Sequence, residues 1–114
     1  MEDTIYKIYD NGIGLSFQWK KDANLTQIIF RDTGFHLSIK EIEVFVDKVK
    51  QTRLNSAFND CNMGNNCRSL LLQTPINKVS IAVSKKELDE IEDLFKGTLF
   101  QLNINYYINS ICNN

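Results

Sequence analysis

No apolar run in this chain approaches the ~20 residues that a membrane-spanning helix needs. There is no basic excess either: 13 Lys and Arg against 14 Asp and Glu leave a net charge of −1. That balance argues against a protein that binds nucleic acid by neutralising phosphates. No glycine-rich phosphate loop and no nucleophile elbow can be read in the chain. The first residues, Met1-Glu2-Asp3-Thr4, are acidic and lack the apolar stretch of a signal peptide. A cytoplasmic location is therefore expected, with the three cysteines held as reduced thiols.

What is present is ordinary core-forming material. The hydrophobic fraction of 43% and the charged fraction of 24% are those of a soluble globular protein. With 114 residues the chain is read as a single domain. Folding at this size buries roughly 65% of the unfolded surface, enough for a core without staples.

The central stretch, Leu25 to Val49, reads as a hairpin followed by an amphipathic helix. Ile28, Ile29 and Phe30 form a short apolar run with the composition of a buried strand. Asp32-Thr33-Gly34 breaks it, and a tight turn closed by a glycine bulge is expected there. Phe35, Leu37 and Ile39 then alternate with His36 and Ser38, the period of a half-buried strand. Ser38 with Glu41 makes a capping box, after which Ile42, Phe45, Val46 and Val49 fall on one helical face. The same grammar returns in the second half. Leu70-Leu71-Leu72, a turn over Gln73 to Asn77, and alternating Val79, Ile81 and Val83 lead to a second capping box at Ser84 and Glu87. Leu88, Ile91, Leu94 and Phe95 form the helical face, and Gly97 is placed as the glycine that ends it.

Ahead of these units, Ile5 to Asp10 and Ile13 to Lys20 read as two strands joined by Asn11-Gly12, the sequence of a type I′ hairpin turn. Ile13, Leu15, Phe17 and Trp19 alternate with small or polar residues, so this strand is expected to bury one face. Lys21 to Asn24 reads as the turn that follows. The stretch 55–67 carries no periodicity and is read as a long surface loop. For 98–114 both a strand and a helix fit; a short extended piece over 98–102 and a helix from Asn103 are expected. The fold predicted is thus α+β: a largely antiparallel sheet built from an N-terminal hairpin and two hairpin–helix units, with the helices on one face; the β-rich half spans 1–54, the second unit 68–97 and a C-terminal segment 98–114.

Candidate chemistry is sparse. Cys61 and Cys67 enclose a polar loop, and with His36 they are the weak candidates for metal ligands. The gap exceeds the Cys-x2–4-Cys spacing of structural zinc sites, and His36 is the sole histidine. No nucleophile, base and acid are signalled together, so the reading leans away from an enzyme and calls for no cofactor or catalytic residue. Asp32-Thr33-Gly34 has the letters of the aspartic-protease triplet, but that chemistry needs two such triplets facing each other. The acidic cluster Glu87, Asp89, Glu90, Glu92 and Asp93 reads as the solvated side of the second helix.

In Gln27-Ile28-Ile29-Phe30, the turn glycine, Leu37-Ser38 and the helix after them, the chain resembles a family of small uncharacterised Bacteroidetes proteins, a domain of unknown function. Ser69 to Pro75 and Val83 to Leu88 carry the likeness into the second half, so that it spans about Gly12 to Ile111. The family often has a Cys-x-x-Cys in the second strand, where this chain has Phe17-Gln18-Trp19-Lys20. The resemblance therefore implies the fold and carries over no site residue. The functional expectation is a non-enzymatic, cytoplasmic protein-interaction module. It forms a homodimer through a sheet edge or the C-terminal segment, without nucleic-acid or membrane partners. The alternative is a small-molecule or metal-binding protein that uses the 55–67 loop.

Overall fold

The computed structural model describes residues 5–20, 22–55 and 67–112. The fold is α+β, with a largely antiparallel set of strands. Strands β1 (Ile5–Asp10), β2 (Gly14–Trp19), β3 (Asp22–Phe30) and β4 (Thr33–Leu37) form an antiparallel meander in the order β1-β2-β3-β4. Helix α1 (Ile39–Asn55) follows. Strands β5 (Leu70–Gln73) and β6 (Ser80–Val83) then pair only with each other, and α2 (Lys85–Cys112) closes the chain.

The core lies between the helices and the inner face of the meander. Ile28, Phe30, Phe35 and Leu37 come from the sheet, Ile42, Phe45, Val46 and Val49 from α1, Leu70, Leu72 and Val83 from the small hairpin, and Leu88, Ile91, Leu94 and Phe95 from α2. Four phenylalanines occupy its centre. Phe45 and Phe95 lie with ring centroids 4.5 Å apart, and Phe30 meets Phe95 edge-on at 5.7 Å. Phe35 packs edge-on against Phe45 at 5.2 Å. Aromatic pairs in such offset and edge geometries add about 1 kcal/mol each beyond the area they bury.

Both capping boxes are formed. The Glu41 N–H donates to Ser38 Oγ and the Ser38 N–H donates to Glu41 Oε1, at 3.2 and 2.9 Å. The Ser84 and Glu87 pair repeats this at 3.1 and 3.0 Å. Each box satisfies two helix-start donors from within four residues, and that locality makes it visible in a sequence.

Elsewhere the structure corrects the local reading. Arg31 and Asp32, not Asp32 to Gly34, form the β3–β4 turn, with Phe30 opposite Thr33 and Gly34 already inside β4. The positive φ falls on Arg31, at 56°. The strand β3 begins at Asp22, inside the stretch read as a turn. The Asn11-Gly12 hairpin exists, but Asn11 does not take the positive φ of a type I′ turn. Its side chain organises the turn instead: Oδ1 accepts from the Ile13 and Gly14 N–H groups, and Nδ2 donates to the Glu90 carbonyl.

Gly97 does not end a helix. α2 runs unbroken through it to Cys112, so no extended piece exists at 98–102. A Cβ at Gly97 would lie 2.5 Å from the Tyr9 ring. The glycine is there to let β1 lie against α2. Thr98, which would be half-exposed in a strand, is fully buried and bonds its hydroxyl to the Leu94 carbonyl at 2.6 Å and to Ser16 Oγ at 2.7 Å. The loop reading of 55–67 falls mostly on 56–66, outside the described residues; Asn55 itself ends α1.

Glycine at position 14 is enforced by contact: a Cβ there would sit 2.0 Å from the Ile29 carbonyl oxygen. At Gly34 a Cβ would meet only Ile29 Cγ1, at an ordinary 3.6 Å. Gly14→Ala is therefore expected to cost about 3 kcal/mol, because backbone must move, and Gly34→Ala to stay within about 0.5 kcal/mol of the parent. Urea melts of the two variants check this contrast; similar losses at both positions would show that β2 and β3 are not in this register. Ser38→Ala and Ser84→Ala should each lower stability by about 1 kcal/mol in the same melts through loss of the cap acceptor. Unchanged midpoints would mean that the helices start elsewhere.

Candidate functional site

The first feature of the molecular surface is a row of acids on α2 that is far from freely solvated. The chain has only three arginines, Arg31, Arg53 and Arg68, and each reaches this row from a different element. Arg68 grips Glu87 with two parallel bonds, Nε to Oε1 at 2.9 Å and Nη2 to Oε2 at 2.8 Å. Arg31 lies 3.8 Å from the same carboxylate. Arg53, at the end of α1, spans Asp89 at 2.7 Å and Glu92 at 2.8 Å, and Lys96 adds a contact to Glu92 at 3.1 Å. Asp93 accepts from the Tyr9 hydroxyl and from Asn11 Nδ2, both at 2.9 Å. The acidic face thus fastens the first hairpin, the β3–β4 turn, α1 and the approach to β5 to one helix. Only the arrangement in space makes this visible, because in the sequence the arginines stand far from the acids they hold.

The carboxyl groups register these contacts. Burial acts to raise Glu87, but the hydrogen bonds from Arg68 and the Ser84 N–H and the charge of Arg31 together hold it below the usual carboxylate range. Burial likewise opposes ionisation of Glu92, and Lys96 and Arg53 outweigh it.

The second feature is the outer face of the meander. The alternation in β2 has the expected period and the opposite phase. Ser16 is the fully buried residue, directed at Thr98 of α2, while Leu15 is 37% exposed. Residues on the Leu15 side face away from both helices. Across the strands they line up as Trp19 beside Ile5, Phe17 beside Gln27, and Leu15 beside Ile29. Ile5 is 45% and Ile29 39% exposed, and Phe17 and Trp19 meet edge-on at 5.6 Å. In an antiparallel sheet with helices on one side, the open face is ordinarily polar. Here Ile5, Leu15, Phe17, Trp19 and Ile29 share it with Lys7, Asp10, Gln27 and His36, and no described element covers the apolar part.

The third feature is a slot of about 580 Å³ between β4 and β6. Its walls include Thr33 to Leu37 on one side and Val79 to Ile81 on the other, with Pro75 and Ile76 at the mouth. The two strands belong to separate sheets.

Of the candidate ligands read from the sequence, His36 and Cys67 lie among the described residues. His36 is exposed on β4, and its Nδ1 accepts from Gln27 Nε2 at 2.8 Å. Cys67 is disulfide-bonded, which corrects the expectation of a free thiol there and removes the thiolate a metal would need. Cys61 lies outside the described residues. Among the described residues no three His, Cys, Asp or Glu side chains are grouped to hold a metal ion. Nor, among them, does any buried side-chain nitrogen or oxygen lack a partner, so no polar group is held ready for an internal ligand. Among the described residues no helix is long and apolar enough to cross a membrane.

Because Glu87 and Glu92 are held below the carboxylate pKa of the unfolded chain, the stability they contribute is present above that value. It is lost as pH falls through their lower folded-state values. Glu87→Gln is expected to flatten the acid limb of stability against pH, read by urea melts at intervals from neutral to strongly acidic solution. An acid limb identical to the parent's would show that the Arg68 and Arg31 contacts do not form in solution.

No protein family, curated protein or solved structure that was compared with this chain matches it.

Proposed function

We propose that the protein is a non-enzymatic interaction module that pairs with a second copy of itself through the outer face of the four-stranded sheet. The observation that carries the reading is the reversed phase of β2. The strand turns Ser16 towards the helices and leaves Leu15, with Phe17, Trp19 and Ile29, on the uncovered side. Contiguous exposed apolar patches on a protein surface mark interaction sites. A two-fold axis through this face sets the same patch against itself, the commonest geometry of soluble dimers. Two such sheets pack about 10 Å apart, their outer side chains interdigitated. The near-zero net charge supports a protein partner over a polyanion. None of these side chains is more than half exposed, so the association expected is a modest one.

Leu15→Lys combined with Ile29→Lys tests the reading. Both side chains point outward, so the fold should tolerate the charges within about 1 kcal/mol. Sedimentation across micromolar concentrations should show the parent in reversible association and the double variant weakened at least about tenfold. Truncation of 104–114, which removes the exposed Tyr106 and Tyr107, should leave the association unchanged. A parent that remains a 13.2 kDa monomer throughout ends the homodimer reading. An association lost with the tail and kept in the double variant places the interface on α2 instead.

A further inference from the structure

The slot between β4 and β6 has walls of a particular kind. In an antiparallel ladder, alternate residues bond to the neighbour and the rest direct N–H and C=O groups the other way. Phe30 and Thr33 close a two-residue turn, so Thr33, Phe35 and Leu37 bond to β3. The parity is fixed independently on the far side of β3, where the Arg31 N–H donates to the Ile13 carbonyl at 3.4 Å. Gly34 and His36 therefore present their backbone groups to the open edge. In the small hairpin the Thr74 N–H donates to the Val79 carbonyl at 3.0 Å, so Val79, Ile81 and Val83 face β5. Ser80 and Ala82 face outward. The Ala82 carbonyl confirms the direction, because it accepts from Arg31 Nη1, out of the β3–β4 turn.

Two unpaired strand edges thus border one slot. They do not pair with each other. Arg31 stands between them at one end: its guanidinium takes the Ala82 carbonyl and lies beside Glu87, where a direct β4–β6 ladder would have to run. Arg31 holds a positive φ of 56° to do so, a conformation that a residue other than glycine, asparagine or aspartate seldom takes. The mouth is apolar, with Ile76 54% and Val79 43% exposed. A volume of about 580 Å³ is that of a site for a short segment.

We propose that this slot binds an extended peptide segment of a partner protein by strand addition. The peptide backbone pairs with Gly34 and His36 on one wall and with Ser80 on the other, and alternate apolar side chains rest on Ile76 and Val79. Such binding takes its affinity from main-chain hydrogen bonds and its selectivity from the side chains at every second position. A peptide with that alternation satisfies both edges, converting two sheets into one continuous seven-stranded surface. This inference is independent of the dimer: it uses the strand edges, whereas the dimer uses the sheet's outer face.

Amide hydrogen exchange followed by NMR tests it, with a capped peptide of about six alternating Thr and Val residues as the probe, long enough to span β4 at roughly 3.3 Å per residue. In the free protein the Gly34, His36 and Ser80 amides should exchange quickly, and those of Phe35 and Ile81, which lie in the ladders, slowly. Added peptide should slow the first group at least about tenfold, and a copy of the peptide N-methylated at alternate residues should not. Gly34→Pro removes a donor that points into the slot and no ladder bond, so it should weaken the probe at least about tenfold without lowering the melting temperature. The proposal is overturned if the outward amides are already protected in the free protein, since the edges would then be paired with each other or with a second copy. It is equally overturned if the N-methylated peptide binds as well as the parent peptide, or if about 1 mM probe leaves the exchange unchanged.

Discussion

The contact on which the rest of the structure depends is the packing of Phe95 against Phe45 and Phe30, at 4.5 and 5.7 Å between centroids. It joins the first half of the chain to the last element, and no backbone ladder does so. The four-stranded sheet and the small hairpin share no strand pairing. What makes one body of them is α2, which buries Leu88, Ile91, Leu94 and Phe95 in the common core and meets every arginine of the chain along its acidic side. Exposed ion pairs contribute little singly. Here each arginine comes from a separate segment, so the three contacts tie three parts of the chain to one helix.

A helix used in this way leaves the sheets incompletely covered. α1 and α2 both lie on the inner face, and the outer face keeps Leu15, Ile29 and Ile5 in contact with solvent. The strand edges at β4 and β6 do not pair with each other, and Arg31 of the β3–β4 turn takes the Ala82 carbonyl on the β6 edge. Natural sheets ordinarily protect such edges with charge, bulges or a covering element. Here β1 is bulged at Ile8, beside α2, while β4 carries no bulge. Both proposed interactions follow from this single asymmetry: one side of the sheet is heavily fastened and the other is available.

The disulfide at Cys67 bears on the remaining alternative. A sulfur joined to another sulfur has no lone thiolate to offer a metal, and the Nδ1 of His36 accepts from Gln27. Of the rare residues that composition singled out, Cys67 and the Nδ1 of His36 are thus held in ordinary structural bonds. The residues that carry the functional reading, Leu15, Phe17, Trp19 and Ile29, are hydrophobics whose importance lies in where they face.

What the sequence by itself determined is what depends on neighbours within a few positions. The two capping boxes, the helical face from Ile42 to Val49, the β3–β4 and β5–β6 hairpins and the order of elements through Phe95 were all legible, because a cap or an alternation is completed within one turn or one strand. The tertiary structure decided the rest. The residues from Thr98 onward have an apolar spacing that suits a strand and a helix equally. Burial of Thr98 against Ser16 and of Leu102 in the core selects the helix, and Gly97 proves to be a seat for Tyr9. In β2 the period was readable and the phase was not. Alternation states that two faces differ; which one meets the helices depends on where α2 lies, and α2 is placed by contacts with residues some eighty positions away.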